Sequence, residues 1–360
     1  MKRLKTIPLF FFIAFLILIA PPILIFPTNK ALAVEGETAP IDLEEIKEGF
    51  NYTFKSLGYI NIQDPADSTL NPDNDFLKIP RHQFNFELRP DLSLELRRLK
   101  LVVKPRLTIE HQRWEDGHRE GDHDTDDDWY INEWLISLRL FDGLFASYGR
   151  ENLQWGPSYL ISPSNPFFRD NGKSNPKREI PGMDFARLVW VSNNSFSASF
   201  IANTHEGRQE FLADFEPTYA LKIDHTNDRK YASVVASYRE EDRARLGAYA
   251  GWTVSSALMI YGEASVSQGT DGLYPVKDPG TPFGISMRPL KDDENSPEGI
   301  VLLGGSYTFE IGPTLTAEYI FNSAGYDDDE ADLYYELRRQ ASRTYHFPGP
   351  ITLASRLALT

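Results

Sequence analysis

Apolar and polar residues alternate with a period of two through most of the chain after residue 49. In the segment 82–96, apolar residues occupy the even positions and charged or amide residues occupy many of the odd ones. A β-strand directs successive side chains to opposite faces, so this segment predicts a strand with one apolar and one polar face. After Arg97 the apolar positions become odd, which predicts a tight hairpin turn and a second strand from 99 to 113.

The same alternation recurs along the chain and predicts an all-β fold. No long helical period interrupts it, and the connections between strands are alternately long and short, as in outer-membrane barrels. We therefore predict an antiparallel transmembrane β-barrel with about 14 strands, or 16–18 if the chain is a fragment. The predicted strands are 50–60, 82–96, 99–113, 129–140, 144–155, 184–191, 195–203, 214–224, 230–239, 243–252, 255–268, 298–309, 314–323 and 347–359.

Two features test this interpretation. Pro90 and Pro105 lie inside predicted strands at equal distances from the turn at Arg97, and proline cannot donate to a sheet ladder, so we expect bulges there. The last predicted strand also lacks the terminal aromatic residue usual in such barrels. A soluble periplasmic β-sandwich is the alternative fold, although it would not alternate long and short connections.

One segment has a recognisable character. Residues 148–157 are Tyr-Gly-Arg-Glu-Asn-Leu-Gln-Trp-Gly-Pro, residues 162–167 are Ser-Pro-Ser-Asn-Pro-Phe, and residues 187–190 are Arg-Leu-Val-Trp. This succession of a Gly-Arg strand, Trp-Gly, an Asn-Pro loop and an aromatic strand resembles Gram-negative porin-like barrels, especially the alginate-export and capsule-assembly types. The resemblance implies an outer-membrane barrel, and it assigns neither a substrate nor a binding residue.

The N-terminus predicts secretion. Lys2, Arg3 and Lys5 precede a long apolar run, and Ala31-Leu32-Ala33 supplies a cleavage site, so we interpret residues 1–33 as a signal peptide. A retained membrane anchor is the alternative. Residues 34–49 would form a periplasmic segment and residues 50–360 the barrel. Removing residues 1–33 changes the net charge from −15 to −19, which argues against nucleic-acid binding, and the absence of cysteine excludes disulfides and thiolate chemistry.

The polar positions of the strands would line the lumen of such a barrel. Charges there either form a hydrated pore of mixed charge with weak anion preference or pair across strands and rigidify the wall. The predicted lumen-lining residues are Arg89, Lys100, Lys104, Arg106, Arg139, Arg187, Lys222, Arg239, Glu110, Glu133 and Glu318.

The connection from Gly156 to Pro181 is basic and rich in proline. Proline limits its conformations, so it is a candidate constriction loop that presents cations to a passing solute; an ordered surface loop is the alternative. Its candidate cations are Arg169, Lys173, Lys177 and Arg178.

The acidic stretch 115–128 is a weaker candidate for calcium. Asp122, Asp124 and Asp126 have the alternate spacing of oxygen ligands, but Asp127 stands where a calcium loop needs glycine. We expect a solvated acidic loop and no cofactor. Several aromatic residues near predicted strand ends suggest a membrane-interface girdle; they are Trp129, Tyr130, Trp134, Trp155 and Trp190.

The sequence thus predicts a porin-like outer-membrane channel for small polar or anionic solutes or for polysaccharide export. Its expected partners are outer-membrane lipid, lipopolysaccharide and the solute. The alternatives are a carbohydrate-binding surface barrel in capsule or exopolysaccharide attachment, and an outer-membrane hydrolase. We expect no enzymatic activity, because no catalytic motif is evident. The sequence does not indicate an oligomeric state.

Overall fold

The computed structural model describes residues 42–65, 67, 71–75, 77–168, 170–175, 177–209, 215–239, 243–270, 272–289 and 297–344. Within these residues, 13 strands form one antiparallel sheet in which each strand pairs with the next along the chain. Among the described strands, a separate two-stranded hairpin, Leu273–Lys277 with Ile285–Pro289, is the only interruption in this order. The predicted signal peptide and the predicted last strand, 347–359, lie outside the described residues.

The elements follow one another along the chain as a meander. They are α1 (Leu43–Gly49), β1 (Phe50–Ile62), β2 (His82–Leu96), β3 (Leu99–Arg113), β4 (His123–Phe141), β5 (Leu144–Glu151), β6 (Met183–Asn193), β7 (Phe196–His205), β8 (Thr218–Thr226), β9 (Lys230–Arg239), β10 (Arg243–Thr253), β11 (Leu258–Gln268), β12 (Leu273–Lys277), β13 (Ile285–Pro289), β14 (Pro297–Thr308), β15 (Thr314–Asn322) and α2 (Asp328–Thr344). This strand order is that of up-and-down antiparallel barrels, and it confirms the predicted fold class.

The two prolines interrupt the ladder where the sequence predicted bulges. The pairing of β2 with β3 stops at Leu88 and resumes at Leu92, so Pro90 and Pro105 lie in the gap between the two paired stretches. The register of β3 against β4 also shifts between Lys104 and Pro105. A bulge accommodates the missing N–H, so the sheet continues on both sides of the prolines.

The sheet buries polar side chains and exposes apolar ones. Leu221, Leu246 and Leu303 are 48%, 51% and 58% exposed, whereas Ser233 and Glu263 on neighbouring strands are 3% and 2% exposed. We call the apolar side the outer face and the polar side the inner face. A water-soluble protein would place these residues the other way round, because burying apolar area is what stabilises it in water.

Exposed aromatic rings border the short turns on the outer face. Phe141, Trp190, Trp252 and Phe309 each lie within a few residues of a short connection and are exposed. Rings at this level suit the boundary between lipid tails and head groups. The predicted girdle was wrong for Trp155, which lies in a loop and packs beside a buried cluster on the inner face.

Several predicted strand boundaries differ from the structure, and two predicted connections contain elements that the sequence did not predict. β4 begins at His123, so half of the predicted acidic loop is strand, and β5 ends at Glu151, so residues 152–155 belong to the following loop. The predicted connection 269–297 contains the β12–β13 hairpin, and the predicted connection 324–346 contains helix α2.

Helix α2 has its own start signal. The Glu330 N–H donates to Asp327 Oδ1 at 2.8 Å and the Asp327 N–H donates to Glu330 Oε2 at 3.0 Å, which is a capping box. Leu337 and Ala341 are buried on one side of the helix, at the spacing that places side chains on one face. None of the described helices has the length and apolar content needed to cross a membrane.

The alternation of long and short connections gives a topology that can be tested. We expect a short epitope tag inserted at Glu120 or Gly284 to label on intact cells, since both lie in long connections. A tag at Asp142, in a short turn, or at Asn193, at the end of β6 beside a short turn, should label only after the outer membrane is permeabilised. Labelling of the short-turn tags on intact cells would show that the predicted topology is inverted.

Candidate functional site

The connection between β5 and β6, residues 152–182, folds against the inner face of the sheet, and we call it the inner loop. Its Phe168 and Ile180 join Phe185 in a buried apolar cluster. The Phe167 ring lies 5.0 Å from the Phe185 ring and 5.9 Å from the Trp155 ring, both edge to face. The loop therefore has a small hydrophobic core of its own, which fixes it against the strands.

A buried carboxylate on β11 fastens the first half of the inner loop. Glu263 is 2% exposed and accepts hydrogen bonds from the hydroxyls of Ser158, Ser162 and Ser164, each at 2.7 Å. The Ser164 N–H donates a fourth bond at 3.0 Å. Bonds to an ionised acceptor are stronger than neutral ones, and the four donors together satisfy the buried charge.

Two glycines allow this close approach. Gly156 has a φ of +83°, and a Cβ there would lie 2.3 Å from Glu263 Oε2. On β10, a Cβ at Gly247 would lie 2.8 Å from the Ser164 backbone. Any side chain at these positions would push the loop away from the wall, and at Gly156 it would also strain the backbone.

A second carboxylate, on β15, holds the adjoining residues of the loop. Glu318 accepts the backbone N–H groups of Tyr159 at 2.7 Å and Leu160 at 3.2 Å. It also accepts the Tyr261 hydroxyl at 2.7 Å. Glu318 therefore anchors the loop through main-chain donors, and the identity of the two loop side chains is not part of the contact.

The second half of the inner loop is fastened near the first strands of the sheet, at β3 and β2. Arg106 on β3 is 3% exposed and donates two bonds of 2.6 Å to the loop carboxylate Glu179. It also donates to Asp91 on β2 at 2.9 Å. The planar guanidinium matches a carboxylate with two parallel bonds, so this contact fixes both position and orientation.

Further contacts on β1 and β2 extend this attachment. Arg89 donates to the Lys177 carbonyl oxygen at 2.6 Å, and the Lys177 ammonium lies 4.5 Å from the centre of the Tyr59 ring. In a flat sheet, β2 and β15 would be separated by roughly 50 Å. Since the inner loop contacts strands near both ends of the strand order, the sheet curves around it.

The cations of the loop are largely engaged by the protein. Lys173 Nζ donates to the carbonyl oxygens of Gly156 at 2.7 Å and Ser158 at 3.1 Å, and Arg178 pairs with Asp170 at 2.8 Å. Burial lowers the pKa of the Lys173 ammonium from its ordinary value, although the nearby carboxylates of Glu263 and Glu318 oppose that shift. Arg169 lies outside the described residues.

The residues predicted to line a lumen lie on the inner face, and most of them have charged partners. The bulge beside Pro105 shifts β4 by one residue against β3. The inward-facing residues of β4 therefore stay on the inner face although they change from even to odd positions in the sequence. Glu110 accepts from Gln83 at 2.8 Å, Arg139 is exposed near the turn after β4, and Glu318 contacts the loop as described. The remaining ion pairs are Arg89–Glu87, Lys100–Glu95, Lys104–Glu133, Arg187–Glu151, Lys222–Asp224 and Arg239–Glu216.

The geometry does not favour the weak calcium candidate in the acidic stretch. Asp124 and Asp126 lie on extended strand β4, where alternate residues are nearly 7 Å apart and cannot converge on one ion. Asp122 lies before the strand and pairs with Arg119 at 3.4 Å. Among the described residues, no group of three or more His, Cys, Asp or Glu side chains is placed to hold a metal ion.

The sequence did not predict three members of the network that holds the inner loop: Glu263 of the wall, Glu179 of the loop itself, and Asp91, which contacts Arg106. Their bonds to Ser158, Ser162, Ser164 and Arg106 define where the inner loop lies. The alternation of polar and apolar residues predicts that Asp91 and Glu263 lie on the polar face, but it does not predict which residues they bind.

Comparison with known proteins gives weak likenesses to porins. Neither a family model nor a curated protein sequence matches the chain. A triple mutant of Rhodopseudomonas blastica porin is 11% identical with a TM-score of 0.41, covering 77% of this chain and 85% of that one. Pseudomonas aeruginosa OprD is 10% identical with a TM-score of 0.43, covering 77% of this chain and 60% of that one. Pseudomonas aeruginosa OccK3 (OpdO) is 13% identical with a TM-score of 0.39, covering 80% and 83%. At these scores, the fold assignment rests on the strand order and the burial pattern.

Proposed function

We propose that this chain is an outer-membrane β-barrel channel for small polar solutes, with the inner loop as its constriction. One observation carries the proposal: the sheet exposes apolar side chains on its outer face and buries polar and charged ones on its inner face. An apolar outer face suits lipid and the lipid part of lipopolysaccharide, and a polar inner face suits a hydrated path.

The contacts of the inner loop support small solutes over a continuous polymer. The loop is bonded to β1–β3 at one end of the strand order and to β11 and β15 at the other, so it occupies the inner face. A loop fixed in this way narrows the path and sets a size limit. Polysaccharide export would require the loop to be displaced, and we do not extend the proposal to it or to an enzymatic activity.

The charges of the loop support a mild preference for anions. Lys173, Lys177 and Arg178 add positive charge to an acidic protein, but their contacts with carbonyl oxygens, a ring and Asp170 reduce the field they project. The inner face elsewhere carries paired charges of both signs. The selectivity for anions over cations should therefore be modest, and it should depend on the inner loop.

Planar-bilayer recording tests this proposal. We expect the full chain to form ion-conducting channels that favour anions under a salt gradient. Replacing Arg169, Lys173, Lys177 and Arg178 with glutamine should lower the anion-to-cation permeability ratio about two-fold or more, because charge in a narrow path is screened less than charge on an open surface.

The control is Lys277→Gln, which removes an exposed cation from the β12–β13 hairpin and should leave the reversal potential unchanged. Flotation with liposomes reports insertion independently of conduction. Inserted protein that conducts no ions would overturn the channel proposal.

A further inference from the structure

A cavity of about 330 Å³ lies between the start of the inner loop and strands β8, β9 and β10. Trp155 of the loop and Tyr231 and Tyr249 of the strands line it, together with Asp224 and Thr226. Its volume is at the lower end of the range of about 300–1,000 Å³ that holds small ligands. The anchoring of the loop by Glu263, Glu318 and Arg106 does not use any of these side chains.

The aromatic rings of the cavity are held in place before any ligand arrives. The Tyr231 and Tyr249 rings are 6.1 Å apart at an angle of 58°. A Cβ at Gly251 would lie 2.3 Å from the Tyr231 ring, so only glycine lets that ring lie close against the wall. On the loop side, Phe167 contacts the Trp155 ring edge to face at 5.9 Å. Fixed rings reduce the entropy lost when a ligand binds.

The charges of the cavity argue against an ionic ligand. Lys222 pairs with Asp224, and its ammonium lies 5.5 Å from the Trp155 ring and 5.7 Å from the Tyr249 ring. The protein itself therefore supplies the cation that these two rings and the carboxylate would otherwise attract. An anion would meet Asp224, and a second cation would meet Lys222.

Hydrogen-bonding groups remain for a neutral ligand. The Tyr249 hydroxyl lies 3.3 Å from Asp224 Oδ1, and Thr226 adds a hydroxyl to the lining. The indole N–H of Trp155 is buried and has no hydrogen-bond partner among the described residues. That atom has almost no accessible surface, so the hydroxyls of a ligand would meet Asp224, Thr226 and the Tyr249 hydroxyl.

We propose that this cavity is a saccharide subsite that holds one pyranose ring of a neutral sugar. A pyranose presents an apolar C–H face, which suits aromatic rings, and a rim of hydroxyls, which suits Asp224, Thr226 and the Tyr249 hydroxyl. The inference rests on the proposed function, because a sugar reaches the subsite along the hydrated inner face. It also goes beyond that function by naming the substrate class.

Calorimetric titration of the detergent-solubilised full chain with maltose tests the subsite without any need for conduction. We expect binding with a dissociation constant on the order of 1 mM, as for a small contact area of this kind. Tyr231→Ala and Asp224→Asn should each weaken binding about tenfold or more, because one removes a ring and the other replaces a charged acceptor with a weaker neutral amide. Neither residue contacts the anchors of the loop.

Tyr238→Leu is the matched control. It lies on the same strand as Tyr231 but on the outer face, where it is 52% exposed, so maltose affinity should not change. Equal affinity in wild type, Tyr231→Ala and Asp224→Asn, or no binding to wild type, would overturn the subsite. Tighter binding of glucuronate or choline than of maltose would overturn the assignment to a neutral sugar.

The bilayer and calorimetric results separate the two proposals. Channels that conduct ions but bind no maltose leave the channel proposal standing and remove the subsite. Maltose binding by inserted protein that conducts nothing supports the subsite and removes the channel, which is the behaviour of a carbohydrate-binding barrel.

Discussion

Deleting residues 160–178 is expected to raise single-channel conductance about two-fold or more, because a fixed obstruction leaves the inner face and the path for ions widens. The deletion removes most of the inner loop, including Ser162, Ser164 and Phe168, but it leaves every strand of the sheet intact. Glu263 would then lose Ser162 and Ser164 and face water, whereas Arg106 keeps Asp91, and Glu179 remains in the chain. Water can solvate the Glu263 carboxylate, so the deletion does not leave a dry buried charge.

Single-channel current in symmetric salt measures this effect, and the permeability of larger neutral solutes in liposome-swelling assays measures the size limit. Shortening the β12–β13 turn by removing residues 279–283 is the control, since that turn is not part of the inner loop. If conductance and size limit stay at their wild-type values in the loop deletion, the loop lies outside the conduction path. If only the deletion conducts, the native loop closes the channel.

The sheet could be predicted from the sequence because its signal is local. Alternation over a few residues determines both the strand and its faces, and β2 and β3 have the predicted boundaries. The strand β4 was predicted too short, because the aspartates of residues 124–128 disfavour strands; pairing with β3 overrides that preference. Propensity is a weak guide where a neighbouring strand supplies the hydrogen bonds.

Helix α2 was missed although the sequence contains a signal for it. Asp327 and Glu330 have the spacing of a capping box, and Leu333, Leu337 and Ala341 recur every four residues. The dense charge of this stretch concealed the apolar stripe. The signal identifies a helix, but not its contact with the β12–β13 hairpin.

The position of the inner loop could not be predicted, because its anchors are distant in sequence. Ser158 and Glu263 are 105 residues apart, and Arg106 and Glu179 are 73 residues apart. Composition indicated that the loop is basic and stiff, but the residues that place it are serines, backbone N–H groups and acids of the wall. Contacts between residues so far apart in sequence can be recognised only in the folded structure, where the curved sheet brings them together.

Replacing Glu263 with alanine is expected to release the first half of the inner loop. The change removes the acceptor of four hydrogen bonds and leaves the buried hydroxyls of Ser158, Ser162 and Ser164 without that partner. Hydrogen bonds to a charged acceptor each contribute about 1.5–3 kcal/mol. Since Ser158 and Ser162 have carbonyl oxygens nearby as other acceptors, local opening should become easier by roughly 3 kcal/mol. We therefore expect trypsin to cut at Lys173, Lys177 or Arg178 on the order of 100-fold faster than in wild type, with noisier channel currents.

Glutamine at residue 263 separates the role of charge from that of geometry. Its carbonyl oxygen can accept the three bonds now made to Oε1, and its amide can donate to the Ser158 hydroxyl, whose single hydrogen would then turn from residue 263 to the Ile161 carbonyl oxygen. Glu263→Gln should thus keep the loop in place with a smaller increase in cleavage, whereas Glu310→Ala, in an exposed turn of the same sheet, should have no effect. Cleavage of Glu263→Ala at the wild-type rate would show that Glu318 and Arg106 hold the loop without Glu263. Equal cleavage of the alanine and glutamine variants would show that the negative charge, rather than the set of bonds, is what fastens it.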